Sequence, residues 1–235
     1  KKQPLVMFAF NAGPDDLALG SLVITPINAG FFAFGMALLQ GIIPYDNIPD
    51  DFSPETVMFV APPFRYTKFG GKQVVVHHRI DDIHEIFSYN LYLGPSAKKA
   101  IYSTLIDRGE KEGWITAHCS AVSVITPYDN STTFMHEGAS GAGKSEMLEM
   151  PHRESDGRLL RGENIVTGEK RYDEISRTCT LSPVVDDMAL CHPSLQSDNK
   201  RLTILDAEDS WFVRTNHIEK YGTDVHFERL TSKPP

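Results

Sequence analysis

Cysteine is scarce in this sequence. Cys119, Cys179 and Cys191 are the only three, an odd number with no CxxC pair, which excludes a disulfide scaffold and a zinc knuckle and fits a reducing compartment. Positive charge is also short. Lys and Arg total 23 against 31 Asp and Glu, a formal charge of −8, so neither a nucleic-acid coat nor a basic membrane clamp is expected. No long apolar run is present. The longest, Ala29 to Ile43, is interrupted by Gln40 and stopped by Pro44, short of the roughly 20 residues that a spanning helix needs. Internal repeats, low-complexity tracts and a secretory leader pattern are missing as well. A cytoplasmic, globular protein without membrane or nucleic-acid partners is the expectation. The chain opens on Lys1 and stops at Pro235 without an obvious closing element, so it is expected to be a piece of a longer protein.

What is present is ordinary globular material, 41% hydrophobic and 23% charged, enough for one large domain or two modest ones. The runs LVMFAF, SLVITPI, TVMFVAPPF and KQVVVHH, bounded by Pro and Gly, read as buried strands. Ile83, Ile86, Phe87 and Asn90 fall at helical spacing, and Asp81 to Leu93 is expected to be one amphipathic helix. Gly94 and Pro95 mark a boundary, which gives an N-terminal α/β region over 1–93 and a second domain over 94–235. SAKKAIYSTLIDRGEKEG reads as a helix with Ile101, Leu105 and Ile106 on one face. WITAHCSAVSVIT, STTFMHE, TLSPVVDDMALC, RLTILDA and SWFVRTN read as strands, and the polar stretch from His152 to Thr180 has no clear period. Strand, glycine loop, helix, strand is an α/β pattern.

One motif carries chemistry. Gly138, Ala139, Ser140, Gly141, Ala142, Gly143, Lys144 and Ser145 match G-x-x-x-x-G-K-[ST], the P-loop. Its glycines allow a tight turn whose N–H groups surround a polyphosphate, and the following helix, expected over SEMLEM, adds positive charge at its N-terminus. Lys144 would reach the β- and γ-phosphates of ATP or GTP, and the Ser145 hydroxyl would ligate Mg²⁺. A P-loop also needs an acid to hold the metal, and Asp186 and Asp187 follow a short apolar run. His77, His78, Asp81, Asp82, His84 and Glu85 form a second titratable cluster, whose spacing matches no zinc template.

Four pieces in order resemble the P-loop superfamily of phosphoenolpyruvate carboxykinases and HPr kinases. They are Lys98-Lys99, His118-Cys119-Ser120-Ala121, the loop GASGAGKS, and Asp186-Asp187. The resemblance covers roughly Leu93 to Cys191 and implies a mixed-sheet carboxykinase-like domain. It implies Mn²⁺ at Lys99, His118 and Asp187, and a nucleotide-bound Mg²⁺ at Ser145 assisted by Asp186. Lys99 would have to act as the neutral amine, its ordinary pKa of about 10.4 lowered by the cation and by desolvation. Lys144, Asp186 and His118 are the implied catalytic residues. The implied reaction transfers the γ-phosphoryl group to a small carboxylate or its enolate. Two alternatives stay open: a kinase acting on a Ser of a carrier protein, with Asp186 as general base, and a nucleotide-binding regulatory module without catalysis. Lys144 and Asp187 stand 43 positions apart, longer than in either family, and the intervening arginine-rich segment reads as an inserted lid or a solvated excursion.

Overall fold

A computed structural model describes residues 3–61, 65–90, 95–139, 141–148, 153–174 and 179–210. In chain order its strands and helices are β1 (Leu5–Ala12), β2 (Leu19–Pro26), α1 (Gly30–Gln40), β3 (Thr56–Val60), β4 (Val74–Ile80), β5 (Ile83–Tyr89) and α2 (Pro95–Glu112), followed by β6 (Ile115–Ala117), β7 (Cys119–Ile125) and β8 (Ser131–Glu137). The later strands are β9 (Leu159–Glu163), β10 (Lys170–Asp173), β11 (Thr180–Val185), β12 (Ala189–Cys191) and β13 (Leu205–Asp206). The protein is mixed α/β and mostly strand. No described helix is long and apolar enough to cross a membrane. The described residues form two units, one from 3–117 together with 188–210 and the other from 118–187. The boundary expected at residues 93 and 94, part of the third apolar run (62–64) and SWFVRTN beyond Ser210 lie outside the described residues.

The first unit is built on a five-stranded sheet in the order β1-β2-β3-β5-β4. β2, β3 and β5 run parallel, with β1 and β4 antiparallel at the edges. Registers align Val23 with Met58 and Met58 with Ile86, so alternate residues of the three inner strands face one way and are buried. Ala33, Met36 and Ala37 of α1 and Ile101 and Leu105 of α2 join the same hydrophobic cluster, which also takes in Trp114, Met188 and Leu190. The helix expected over Asp81 to Leu93 is instead β5. Ile83, Ile86 and Phe87 satisfy helical spacing, but His84, Ile86 and Ser88 also alternate. The pairing of β5 with β3 and β4 selects that second period. Asp81, in the left-handed region at φ 49, makes the tight turn from β4 into β5.

α1 ends at Gly41 with φ 105, where a side chain would be strained and would approach the Asn11 carbonyl to 3.3 Å. Gln40, the residue that interrupts the apolar run, is buried and donates through Nε2 to Glu208 Oε1 at 2.9 Å. Glu208 Oε2 lies 2.7 Å from the Nζ of Lys98, which is also buried. Burial pushes the Glu208 carboxyl up to about 8, and the Lys98 ammonium offsets only part of the effect.

In the second unit, β7 lies between β11 and β8 in an antiparallel three-stranded sheet. The single strand expected over Trp114 to Thr126 is broken at His118, where β6 ends and β7 begins. β9 and β10 form a hairpin within the arginine-rich segment, with the Arg158 guanidinium 4.2 Å from the Tyr172 ring centroid.

Two outcomes are expected. Glu208 keeps its proton in the folded chain above the ordinary carboxylate range and releases it when unfolded. Its stabilising effect is therefore complete below a pH of about 4.3 and is lost as pH rises towards 8. Thermal melts from pH 5 to 8 should show wild type losing stability relative to Glu208→Gln, and a pH-independent difference would contradict the assignment. Ile101→Ala, which opens a cavity at a fully buried site, should cost about 2–5 kcal/mol by denaturant titration.

Candidate functional site

Strand directions gather the motif residues. Cys119 pairs with Glu137 and Ala121 pairs with Val185, both antiparallel. The start of β7 and the ends of β8 and β11 therefore lie at one end of the sheet. His118 precedes β7, the glycine loop follows β8, and Asp186 and Asp187 follow β11. Residues far apart in sequence meet there because of sheet topology alone.

The loop is shaped by its glycines. Gly141 and Gly143 have φ of 84 and 89, open only to residues without a strained Cβ. A Cβ on Gly138 would stand 2.9 Å from the Cβ of Ala142, so this position closes against the loop's far side. The Ala142 N–H donates to the Ala139 carbonyl at 3.0 Å, and Ser140 lies outside the described residues. Of the helix expected over SEMLEM, Ser145–Leu148 form a 3₁₀ turn, and residues 149–150 lie outside the described residues. Its Leu148 is buried, and the Met147 N–H donates to both the Gly143 and Lys144 carbonyls. Buried Ser120 donates its hydroxyl to the Lys144 carbonyl at 2.8 Å, which ties the loop to β7. That anchoring role has no pattern of its own in the sequence beyond the third position of HCSA.

The charged groups divide between two contacts. Ser145 donates its hydroxyl to Asp186 Oδ1 at 2.8 Å, and Asp186 is buried at 1% exposure. Asp187, in the left-handed region at φ 71, places Oδ1 2.9 Å from His118 Nε2 and 3.6 Å from Lys144 Nζ. The positive φ is what sends two consecutive carboxylates to different partners. Lys144, buried, also donates from Nζ to the Gly138 carbonyl at 3.1 Å and the Ala139 carbonyl at 3.4 Å. His118 is exposed while Asp187 is largely covered, so the imidazole is held from behind and open in front.

Lys144, Ser145, Asp186, Asp187 and His118 are thus together in the second unit. Lys99 belongs to α2 of the first unit, half-buried, with its carbonyl accepting from the Ser103 hydroxyl at 3.2 Å. Among the described residues no group of three or more His, Cys, Asp or Glu is arranged to hold a metal ion. Of the titratable cluster on β4 and β5, His77 and His84 bond to each other at 2.9 Å, and His78 bonds Glu85 at 3.0 Å.

Compared with known proteins, the chain has no match among curated sequences. One family matches along its whole length, residues 1–235, and its description is a domain of unknown function, DUF4914. The chain belongs to that family.

Proposed function

We propose that the protein binds a Mg²⁺-nucleotide, ATP or GTP, on the loop Gly138 to Ser145. We further propose that it is a cytoplasmic phosphotransferase of the carboxykinase-like kind, passing the γ-phosphoryl group to a small carboxylate or its enolate. The observation that carries this reading is the 2.8 Å bond from Ser145 to buried Asp186. A loop hydroxyl facing an acid at the end of a nearby strand is the oxygen pair that nucleotide-bound Mg²⁺ requires. Ser145 and Asp186 would hold that ion, which when bound would neutralise charge building on the phosphate oxygens.

The side chains themselves suggest the remaining roles. The Lys144 ammonium is satisfied by loop carbonyls and Asp187, all acceptors that phosphate oxygens can replace. Asp187 orients the His118 ring through Nε2. The nitrogen and carboxylate donors of His118 and Asp187 suit Mn²⁺.

A second reading is favoured by the same dyad. Asp186 is buried and engaged by Ser145, whereas His118 is exposed and oriented, so His118 is the better-placed base for a hydroxyl acceptor. That would make the protein a serine kinase resembling the HPr kinases.

A ligand that binds only the folded state adds about 2.7 kcal/mol of stability at 100 times its dissociation constant. Melts with MgATP, MgGTP and pyrophosphate should therefore rise, and Lys144→Ala should remove the rise. No shift with any nucleotide would sink the reading. His118→Ala should keep the nucleotide shift yet slow phosphoryl transfer about 100-fold or more, the scale of a lost acid–base group. Transfer to small carboxylates against transfer to a protein serine, followed with γ-labelled nucleotide, separates the two acceptors.

A further inference from the structure

β8 stands at one edge of its three-stranded sheet, and among the described residues no strand pairs with its outer side. Ser131 to Met135 are all exposed, Phe134 at 50% and Met135 at 49%. Those two side chains point to opposite faces, so the strand is uncovered on both faces as well as along its edge. Such an edge is a template for another strand, and proteins blunt it with proline, charge or a bulge. The opposite edge of the same sheet is blunted in that way: β11 carries Pro183 and shifts register between Pro183 and Val185. β8 has an unbroken register, no proline, and no Asp, Glu, Lys or Arg before Glu137.

The hairpin turn fixes which backbone groups face outward. The Thr126 N–H donates to the Asn130 carbonyl at 2.9 Å, which makes these two the hydrogen-bonded pair closing the β7–β8 hairpin. Such pairs alternate along an antiparallel ladder, here from Ile125 opposite Ser131 to Cys119 opposite Glu137. Thr132, Phe134 and His136 therefore turn their N–H and C=O groups to β7. Ser131, Thr133, Met135 and Glu137 turn theirs to the free edge. By the same alternation Pro183, opposite Val122, stands where an N–H would point outward, and proline has none.

The occupant of this edge must be extended, must match its outward groups, and must not set an acid opposite Glu137. A second β8 meets all three conditions. Residues opposite each other in an antiparallel pair turn their backbone groups the same way. A strand paired with its own copy is therefore centred on a residue that faces itself. Centred on Thr133, the pairing sets Asp129, held in the left-handed region at φ 59, opposite Glu137 and brings two carboxylates together. Centred on Phe134, it sets Glu137 opposite Ser131 and Thr133 opposite Met135, all with outward groups. Registers centred further towards either end leave some of those groups unpaired. The Phe134 register also puts that ring against its own copy in a non-hydrogen-bonded pair, where side chains are closest and aromatic contacts stabilise a sheet.

We propose that β8 is a dimerisation edge, pairing antiparallel with β8 of a second copy about a two-fold axis at Phe134. The two sheets then form one continuous sheet with β11 and its Pro183 at both outer edges, so the assembly closes at two copies. The pairing does not depend on nucleotide binding.

Analytical ultracentrifugation of the whole chain over a concentration series tests this, and a dimer is expected. Thr133→Pro removes an outward N–H without touching the ladder to β7, and Met135→Lys sets a charge at an exposed position. Each should leave only monomer at concentrations where the wild type is dimeric, with far-UV circular dichroism unchanged. Phe134→Cys reads the register, because Cα atoms of a non-hydrogen-bonded pair stand about 4.5 Å apart, within disulfide reach. Under mild oxidation it should form a covalent dimer that the wild type and Thr132→Cys do not. A wild type monomeric at every concentration, a dimer that survives both edge variants, or cross-linking at position 134 no greater than at 132 would each overturn the proposal.

Discussion

The Asp186 carboxylate is withdrawn almost wholly from water, and a charge in that position must be met by donors. The Ser145 hydroxyl is one of them, so the end of β11 and the end of the glycine loop are tied together across β7. Much of the second unit's arrangement follows from that tie. Ser120 on the central strand holds the Lys144 carbonyl, and Leu148 buries the turn that carries Ser145. Asp187, turned the other way by its left-handed backbone, engages His118 and Lys144. Two neighbouring carboxylates thereby have separate partners, Ser145 for the first and His118 with Lys144 for the second.

The first unit is governed by a different constraint. Its helices and inner strands bury one continuous apolar cluster, and Lys98, Gln40 and Glu208 are buried together in the same unit. The Gln40 amide and the Lys98 ammonium both meet the Glu208 carboxyl, which reduces the cost of burying them. Lys98 and Lys99 look equivalent as a pair in sequence. In the fold Lys98 is the buried, paired lysine and Lys99 the half-buried one.

Features carried by local chemistry were legible before the structure. The apolar runs that became β1 to β4, the inward positions Ile101 and Leu105 of α2 and the spacing of the glycine loop each express themselves within a few residues, whereas Ile106, expected on the same face of α2, is exposed. Failures came where two local patterns competed or where the deciding partner was remote. Asp81 to Leu93 fits both a helical and an alternating period, and only pairing with β3 and β4 decides between them. The break at His118 arises because β6 pairs with β12 while β7 pairs with β8 and β11, information held some 70 residues away. The acids were legible as an adjacent pair, but their separate partners were not, since nothing in two consecutive Asp residues announces a left-handed second one.

Membership of the DUF4914 family assigns no chemistry, so the account rests on whether the loop after β8 is a phosphate site. Hydrogen–deuterium exchange read by mass spectrometry, with and without MgATP or MgGTP, measures this directly. Slowed exchange should be confined to peptides over 138–148 and the Asp186–Asp187 turn. Unchanged exchange there at saturating nucleotide, or protection found only in the first unit, would contradict it.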